Sequence, residues 1–526
     1  MNIQNTKLII ILFIVIYITS YQAAADESGL PVILETNVFS LIHKDVLSHV
    51  DMNRLDTRGT TDMRFYWSPD ERKVLIDASI NAYPKGKPDF GVVNALYLAD
   101  ISKINSPKLL RWGEDTEITA DGSRSMIGNF QWSPSGKYFS FVERSDITFK
   151  QKFEEAWTLW IINASTLNVV SKKEVSSVTI GGNFLRGYSW SPSEDKIAYI
   201  GFDESKSKDI FIWDVSENSF YGTGIKEYIK SFENTVLTWS PDGRKLALAE
   251  QTYEAENYSL LTIDPASRKI TNLLSAAIII APRYAFWSPD SRNILVTEIK
   301  PDDKIDVYLV NMENGEHRKL TTLNNLASYV IKWSMDGKKF LFKTSKGDIN
   351  QFYSMDIDGS SPPVLIFENN RSLESADVSG SFTIMTFISD SYNLKNLIVL
   401  ENEKKPLVIN NVSNYYFNYK SDSLLYVSQN DGQNSTLFRV SPGAGSKHLS
   451  ILTDVKIFGF SPSGNFIIVD NGSESFEKVN NSWINFTTQN IDNSKGSAPE
   501  APGLAFIFVG TSVFVVYYII KMKRFL

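Results

Sequence analysis

Short apolar runs rich in Val, Ile, Leu and aromatic residues recur along most of the chain, divided by polar turn residues. Six of them lead into one pattern: YWSPDERKVLIDA from Tyr66, QWSPSGKYFSFVE from Gln131, SWSPSEDKIAYIG from Ser189, TWSPDGRKLALAE from Thr238, FWSPDSRNILVTE from Phe286 and KWSMDGKKFLFKT from Lys332. A weaker FSPSGNFIIVD begins at Phe460. Two degenerate copies, DVSGSFTIMTF from Asp377 and FNYKSDSLLYV from Phe417, fill the interval between. The lead positions are 67, 132, 190, 239, 287, 333, 377, 417 and 460, spaced by 65, 58, 49, 48, 46, 44, 40 and 43 residues.

Ser-Pro-Asp-Gly is a turn tetrapeptide: Ser caps, Pro fixes φ at the second position, and Asp and Gly accept the remaining dihedrals. The apolar runs on either side, as in TVLTW and KLALAE, make a hairpin. A third run follows in each unit (ALYLADI, TLWIIN, DIFIWDV, SLLTID, DVYLVNM, FYSMDI, LIVLE, TLFRVS, SWINFT), and most units close with a fourth, such as KLLRW, KITNLL or RKLTTL. Four short antiparallel strands in about 40–50 residues make one propeller blade. The expected fold is all-β: a single β-propeller of about eight four-stranded blades, range seven to nine, over residues 31–488. Nine hairpins are countable, but eight blades are expected because one degenerate unit need not form a full blade. The last unit lacks its fourth strand, and PVILETNVFSL at 31–41 is placed to supply it and close the ring without exposed edges. A pair of smaller rings is the topological alternative.

These units resemble the WSPDG-type (WD40-like) repeats of the TolB-like family and of the propeller domain of prolyl oligopeptidase-type peptidases, over about residues 60–470. The resemblance implies a propeller. It implies peptidase activity only with an α/β-hydrolase domain, whose Gly-x-Ser-x-Gly elbow does not occur in the sequence. Peptidase activity is therefore not expected to carry over. No glycine-rich phosphate loop or His-Glu-x-x-His motif occurs either.

Composition narrows the chemistry further. With no cysteine, thiolate metal sites, disulfides and Cys nucleophiles are excluded. Only four histidines occur, His43, His49, His317 and His448, which argues against metal or acid–base catalysis. The formal charge is −7, so nucleic acid is not an expected partner. No metal or cofactor is expected. The motif aspartates Asp70, Asp242, Asp290 and Asp336 are turn residues first, because lone carboxylates fall short of the six to eight oxygens calcium takes.

Both ends suggest a location. Residues 8–18, LIIILFIVIYI, follow Lys7 and precede Ala23-Ala24-Ala25, the layout of a signal peptide over 1–25; an uncleaved anchor is the alternative. Residues 503–520, GLAFIFVGTSVFVVYYII, carry no charge and just suffice to span a ~30 Å hydrocarbon core. Lys521, Lys523 and Arg524 in the tail 521–526 place that end inside and the large domain outside, at the cell surface. A buried core helix is the rival reading. Residues 489–502 read as a stalk. Pro502-Gly503, with the apolar run and basic cluster after it, resembles in part an archaeal surface-sorting tail, with Leu504 in place of the Phe. That resemblance implies a tail cut and exchanged for a lipid anchor. Asn163, Asn257, Asn370, Asn411, Asn434, Asn471, Asn480 and Asn485 are candidate N-glycosylation sites.

Trp67, Trp132, Trp190, Trp239, Trp287 and Trp333 read as core, since a Trp at one offset in every repeat packs between blades. Near the channel, Arg64, Arg186, Arg283 and Lys456 fall at or beside equivalent slots four residues before the lead position. There they form a candidate basic ring for an anionic ligand, such as an acidic sugar or a peptide carboxylate. Solvated charges or interblade ion pairs are the plainer reading. The longest connections between second and third strands, 79–94 and 144–157, hold Tyr83, Phe90, Phe149, Phe153 and Trp157. They are candidate partner contacts or packing residues. The expected function is a membrane-anchored extracellular binding or scaffold module with a protein or glycan ligand. A channel-centred lyase or hydrolase acting on polysaccharide, or a structural surface-layer component, are the alternatives.

Overall fold

The computed structural model describes residues 32–470, less 55–61, 115–126, 145–155, 226–235, 250–257, 281–286, 442–447 and breaks of five residues or fewer. The expected signal segment (1–25), stalk (489–502), membrane span (503–520) and basic tail (521–526) lie outside the described residues. Among the described residues, no helix is long and apolar enough to cross a membrane.

Six four-stranded antiparallel sheets follow one another at residues 62–114, 127–176, 188–222, 236–276, 279–323 and 329–369, each ordered as the chain runs. A seven-stranded sheet comes next. It divides at the strand Leu407–Asn418, whose first half pairs with Lys395–Glu401 and whose second half pairs with Ser423–Gln429. Asn411, at φ 57°, precedes Val412, where the pairing passes from one partner to the other. That strand therefore ends unit seven and begins unit eight. Unit nine has three strands, Ile457–Phe460, Phe466–Asp470 and, beside the latter, β1 (Val32–Thr36).

Apolar side chains alternate to both faces of each sheet, and the buried clusters lie between neighbouring units. Leu75 and Leu96 of unit one meet Phe130 and Phe139 of unit two. The pattern repeats down the chain until Leu425 and Val427 of unit eight meet Ile467 and Val469 of unit nine. The last cluster joins Ile468 of unit nine to Val74, Ile76 and Val93 of unit one. The succession thus closes on itself, as a propeller requires. First strands of neighbouring units touch, which puts them innermost.

Several expectations need correction. About eight blades, range seven to nine, were expected; nine units, the upper end of that range, are present among the described residues, because both degenerate copies make complete sheets. In unit seven the lead position is Val378, not Asp377. Val378 is buried in the interblade core, while Ser379 and Phe382 close a turn two residues shorter than the motif allows. The run at 31–41 does not supply a fourth antiparallel strand. Its first half, β1, takes the third position and pairs parallel, Val32 opposite Phe466 through Thr36 opposite Asp470. Its second half begins helix α1 (Val38–Ser48).

Ile42 and Val46 lie one helical turn apart and Val50 follows in step, so one face of α1 is apolar and buried on unit one. This helix also explains why 79–94 is not the long loop expected there. Strands Lys73–Ala82 and Gly91–Asp100 extend the hairpin, and Ile80, Ala82 and Val93 are buried with the helix residues.

Candidate functional site

Each unit's first strand runs toward its motif turn, so one mouth of the ring carries those turns and the other carries the second-to-third-strand connections. At the turn mouth the local chemistry repeats. Ser68, Ser240, Ser288 and Ser334 are buried, and their Oγ atoms donate to Asp70, Asp242, Asp290 and Asp336 at 2.6–2.7 Å. The same hydroxyls accept the amides of Lys73, Lys245, Asn293 and Lys339 at 2.9 Å. Burial alone would raise Asp70 and Asp242. Hydrogen bonds from serine and backbone, with the neighbouring arginine charge, outweigh it and hold both below the usual carboxylate range. Asp336 is lowered chiefly by Ser334.

The turns also bind one another. Ser135 Oγ donates to Asp195 at 2.6 Å, Ser193 Oγ to the Asp242 carbonyl at 2.9 Å, and the Asp242 amide to Ser291 Oγ at 3.0 Å. Between units nine and one, Glu71 accepts from the Ser463 amide at 2.7 Å and from Ser463 Oγ at 2.6 Å. Glu71 stands at φ 54°, where other turns place glycine, such as Gly243 at 72° and Gly337 at 68°. A side chain in this left-handed conformation is strained. Here its carboxylate clasps the two ends of the ring. Gly243 has a different constraint, since a Cβ there would lie 2.1 Å from Ser193 Oγ.

The motif tryptophans continue the stitching. Trp132 Nε1 donates to the Tyr66 carbonyl at 2.7 Å, Trp190 Nε1 to Ser140 Oγ at 2.8 Å, Trp239 Nε1 to the Ser189 carbonyl at 3.1 Å and Trp287 Nε1 to the Thr238 carbonyl at 3.4 Å. Each acceptor belongs to the preceding unit. Trp67 stacks on Phe466 of unit nine at 6.0 Å, and Trp333 is buried between units five and six.

The other mouth is built differently. A polar residue near the start of the third strand, buried except at half-buried Asn350, ties down the fourth strand or the crossover beyond it. Asn94 Nδ2 donates to the Ile127 carbonyl at 3.2 Å, and Asp209 accepts from the Gly224 amide at 2.9 Å and Thr223 Oγ1 at 3.2 Å. Asp306 accepts from Thr322 Oγ1 at 2.6 Å and pairs with Lys319 at 2.7 Å, and Asn350 donates to the Arg371 carbonyl at 2.9 Å. These positions belong to no motif named above. Their signal in the sequence is one polar residue heading an apolar run, as in NALYL, DIFIW and DVYLV.

Of the candidate ligand residues, Arg64 is exposed in the strand Asp62–Trp67, opposite Asp77 in register. Arg186, Arg283 and Lys456 lie outside the described residues, as do Phe90, Phe149 and Phe153. Tyr83 is half-buried, with the Arg54 guanidinium 3.7 Å from its ring centre. Among the candidate glycosylation sites, Asn370 and Asn411 are exposed, while Asn163 Oδ1 caps a turn by accepting the Ser165 and Thr166 amides at 2.9 Å. Asn257, Asn434, Asn471, Asn480 and Asn485 lie outside the described residues.

A polar cluster not anticipated from the sequence lies on units six to eight, on their inner strands and, for Lys343 and Lys395, on the second strand of unit six and the third strand of unit seven. Lys332 pairs with Asp377, and Lys395 with Glu374 at 2.8 Å. Shifting the unit-seven lead to Val378 puts Glu374, not Leu373, four residues before it. Tyr415 is pushed up to about 12, first by burial and then by the Asp377 charge. Burial lowers Lys343, whose ammonium lies 5.4 Å from the Tyr329 ring centre. Both carboxylates face ammonium partners, an arrangement suited to holding strands or polar ligands. Among the described residues, no three His, Asp or Glu side chains gather as a metal site needs.

Residues 228–411, within units four to seven, match the family described as the TolB beta propeller domain. An uncharacterised protein of Agrobacterium fabrum is 34% identical over 121 residues, 23% of this chain and 39% of its own. Dipeptidyl-peptidase 5 of Porphyromonas gingivalis is 24% identical over 153 residues, 26% of this chain and 21% of its own. The chain thus spans well under half the length of these relatives. Among solved structures, TolB from Acinetobacter baumannii aligns over 58% of this chain and 79% of its own, at 14% identity and a TM-score of 0.30. Within residues 228–411 the repeats resemble those of the TolB β-propeller domain.

Proposed function

We propose that this propeller is a binding scaffold of the cell envelope whose ligand, a protein or a glycan, docks on the mouth opposite the motif turns. One observation carries the reading: variation is concentrated at that mouth. The connections between second and third strands run from two residues at 347–348 to eleven at 145–155. The motif turns repeat one bonding pattern and are tied to one another. Loops of unequal length on a rigid frame are where recognition concentrates. Support for a scaffold also comes from the TolB-type repeats.

The finer features of the proposal are a signal segment at 1–25 and a membrane span at 503–520 that holds the ring outside the cell. Arg64, Arg186, Arg283 and Lys456 are proposed to attract an anionic group of the ligand toward the channel.

Photo-cross-linking on the full-length protein in its native membrane tests the docking face. A cross-linking side chain at Tyr83, on the variable mouth, is expected to capture a discrete partner. The same group at Arg72, on the turn mouth, is expected to capture none. Equal capture from both mouths, or none from a set spanning every variable connection, would sink the proposal.

A further inference from the structure

The inner strands of units six to eight share an irregularity that those of units one, three and four lack. In the latter three the first strand pairs with the second in unbroken register. In unit seven Leu373 stands opposite Phe387 and Ser375 opposite Thr386, so Glu374 is an extra residue. In unit eight Ser413 is extra in the same way, between Val412 and Asn414. In unit six the register shifts between Val330 and Lys332. A β-bulge bends its strand and re-aims side chains, and bulges gather beside functional sites.

Around these bulges, units six and seven carry polar side chains at equivalent positions. Tyr329 and Glu374 stand four residues before the two lead positions, toward the variable mouth, and both are exposed. Lys332 and Asp377 stand one residue before them and pair with each other. Lys395, at the head of the third strand of unit seven, reaches Glu374 at 2.8 Å. Lys343 lies opposite Tyr329 in register, with its ammonium 5.4 Å from the ring centre. The three-residue step from Tyr329 to Lys332 makes this wall about 10 Å long. All four side chains of the two ion pairs are a third or more open to solvent, so the pairs add little to stability.

We propose that this wall, built from Tyr329, Lys332, Glu374, Asp377 and Lys395, binds a neutral sugar at the end of an oligosaccharide that enters the channel from the variable mouth. The inference rests on the binding reading above and takes the glycan of its two ligand classes. The chemistry favours a neutral sugar. A carboxylate beside an ammonium sets an acceptor next to a donor, and a sugar hydroxyl is both. Charges already paired with their opposites draw in neither an anion nor a cation strongly. The Tyr329 ring, 38% exposed, offers an apolar face to the C–H face of a pyranose. The length of the wall accommodates a disaccharide.

Saturation-transfer NMR on the full-length protein, in micelles of a detergent without sugar headgroups, tests the site. The probes are two neutral trisaccharides, triacetylchitotriose and mannotriose, and one acidic trisaccharide, trigalacturonate, each at millimolar concentration. At least one neutral probe is expected to bind, and to bind better than trigalacturonate. Glu374→Ala and Tyr329→Ala are each expected to weaken it at least about tenfold, as loss of a bond to a charged group or of a stacking face does. Tyr329→Trp, which keeps an aromatic face, and Arg72→Ala, on the turn mouth, are expected to retain it. Unchanged urea unfolding midpoints in these variants show that the ring is intact. Binding of neither neutral probe would overturn the inference. So would a preference for trigalacturonate, or binding that survives both alanine substitutions. A partner cross-linked at Tyr83 with no neutral trisaccharide bound would overturn the channel site alone and leave the docking face standing.

Discussion

Units one to six and units seven to nine solve the same packing problem by different means. In the first arc a motif tryptophan fills the gap between sheets, and four of the six donate from the indole to the unit before. A Ser–Asp turn closes the first hairpin in four of these units. In the second arc no indole occupies the lead position. Val378, Phe417 and Phe460 stand there instead, and Phe417 packs at 5.2 Å from Phe382. The neighbours are joined by the Lys332–Asp377 pair, by a strand shared between units seven and eight, and by the Glu71 clasp. The backbone hydrogen-bond pattern and the interblade cores specify the blade. The motif is one way of fastening it.

That contrast can be broken experimentally. The largest effect is expected from Trp239→Ala, which empties a buried site between units three and four. A loss of about 3–5 kcal/mol in denaturant unfolding is predicted. A loss below about 1 kcal/mol would show that the indole is not the fastener described here.

Glu71→Ala removes both bonds to Ser463 and leaves a strained backbone, so about 2–3 kcal/mol should be lost. Neighbouring Arg72→Ala should change stability by less than about 0.5 kcal/mol, since that side chain is exposed. Equal effects would remove Glu71 from ring closure. Ser240→Ala should cost about 1–2 kcal/mol by stranding the Lys245 amide. Lys332→Met should cost no more than about 1 kcal/mol, because the pair with Asp377 is half in solvent.

The smallest expected effect is a pH dependence carried by the first arc. Asp70, Asp242 and Asp336 sit below the ordinary carboxylate range when folded. Their contribution is present above the unfolded value of about 3.9 and disappears as pH falls through the lower folded values. Asp336→Asn should therefore lose less stability than wild type on going from pH 7 into that acid window, as read by urea unfolding. An unchanged acid loss would contradict the assignment.

How much of the molecule was legible in the sequence depends on where the determinants lie. The six tryptophan units are readable because their turn chemistry is local: Ser, Pro, Asp and Gly act within one hairpin. Nine hairpins could be counted, but whether the degenerate copies made full sheets depended on partners elsewhere. Val378 was missed because Asp377 looked like the start of a repeat, while the shortened turn that shifts the register shows only in the pairing. The helix Val38–Ser48 and the extended hairpin beneath it depend on each other, so neither is readable alone. The polar heads Asn94, Asp209 and Asp306 are visible as letters, but their acceptors and donors lie 14 to 33 residues away. Of the candidate site, the aromatic and basic residues could be named, but their convergence depends on the ring.

The count of units is the central structural claim, and imaging the full-length protein along the ring axis by electron cryomicroscopy tests it most directly. Nine radial lobes are predicted, one of them completed by the N-terminal strand. A closed ring of eight lobes, or two smaller rings, would contradict the account.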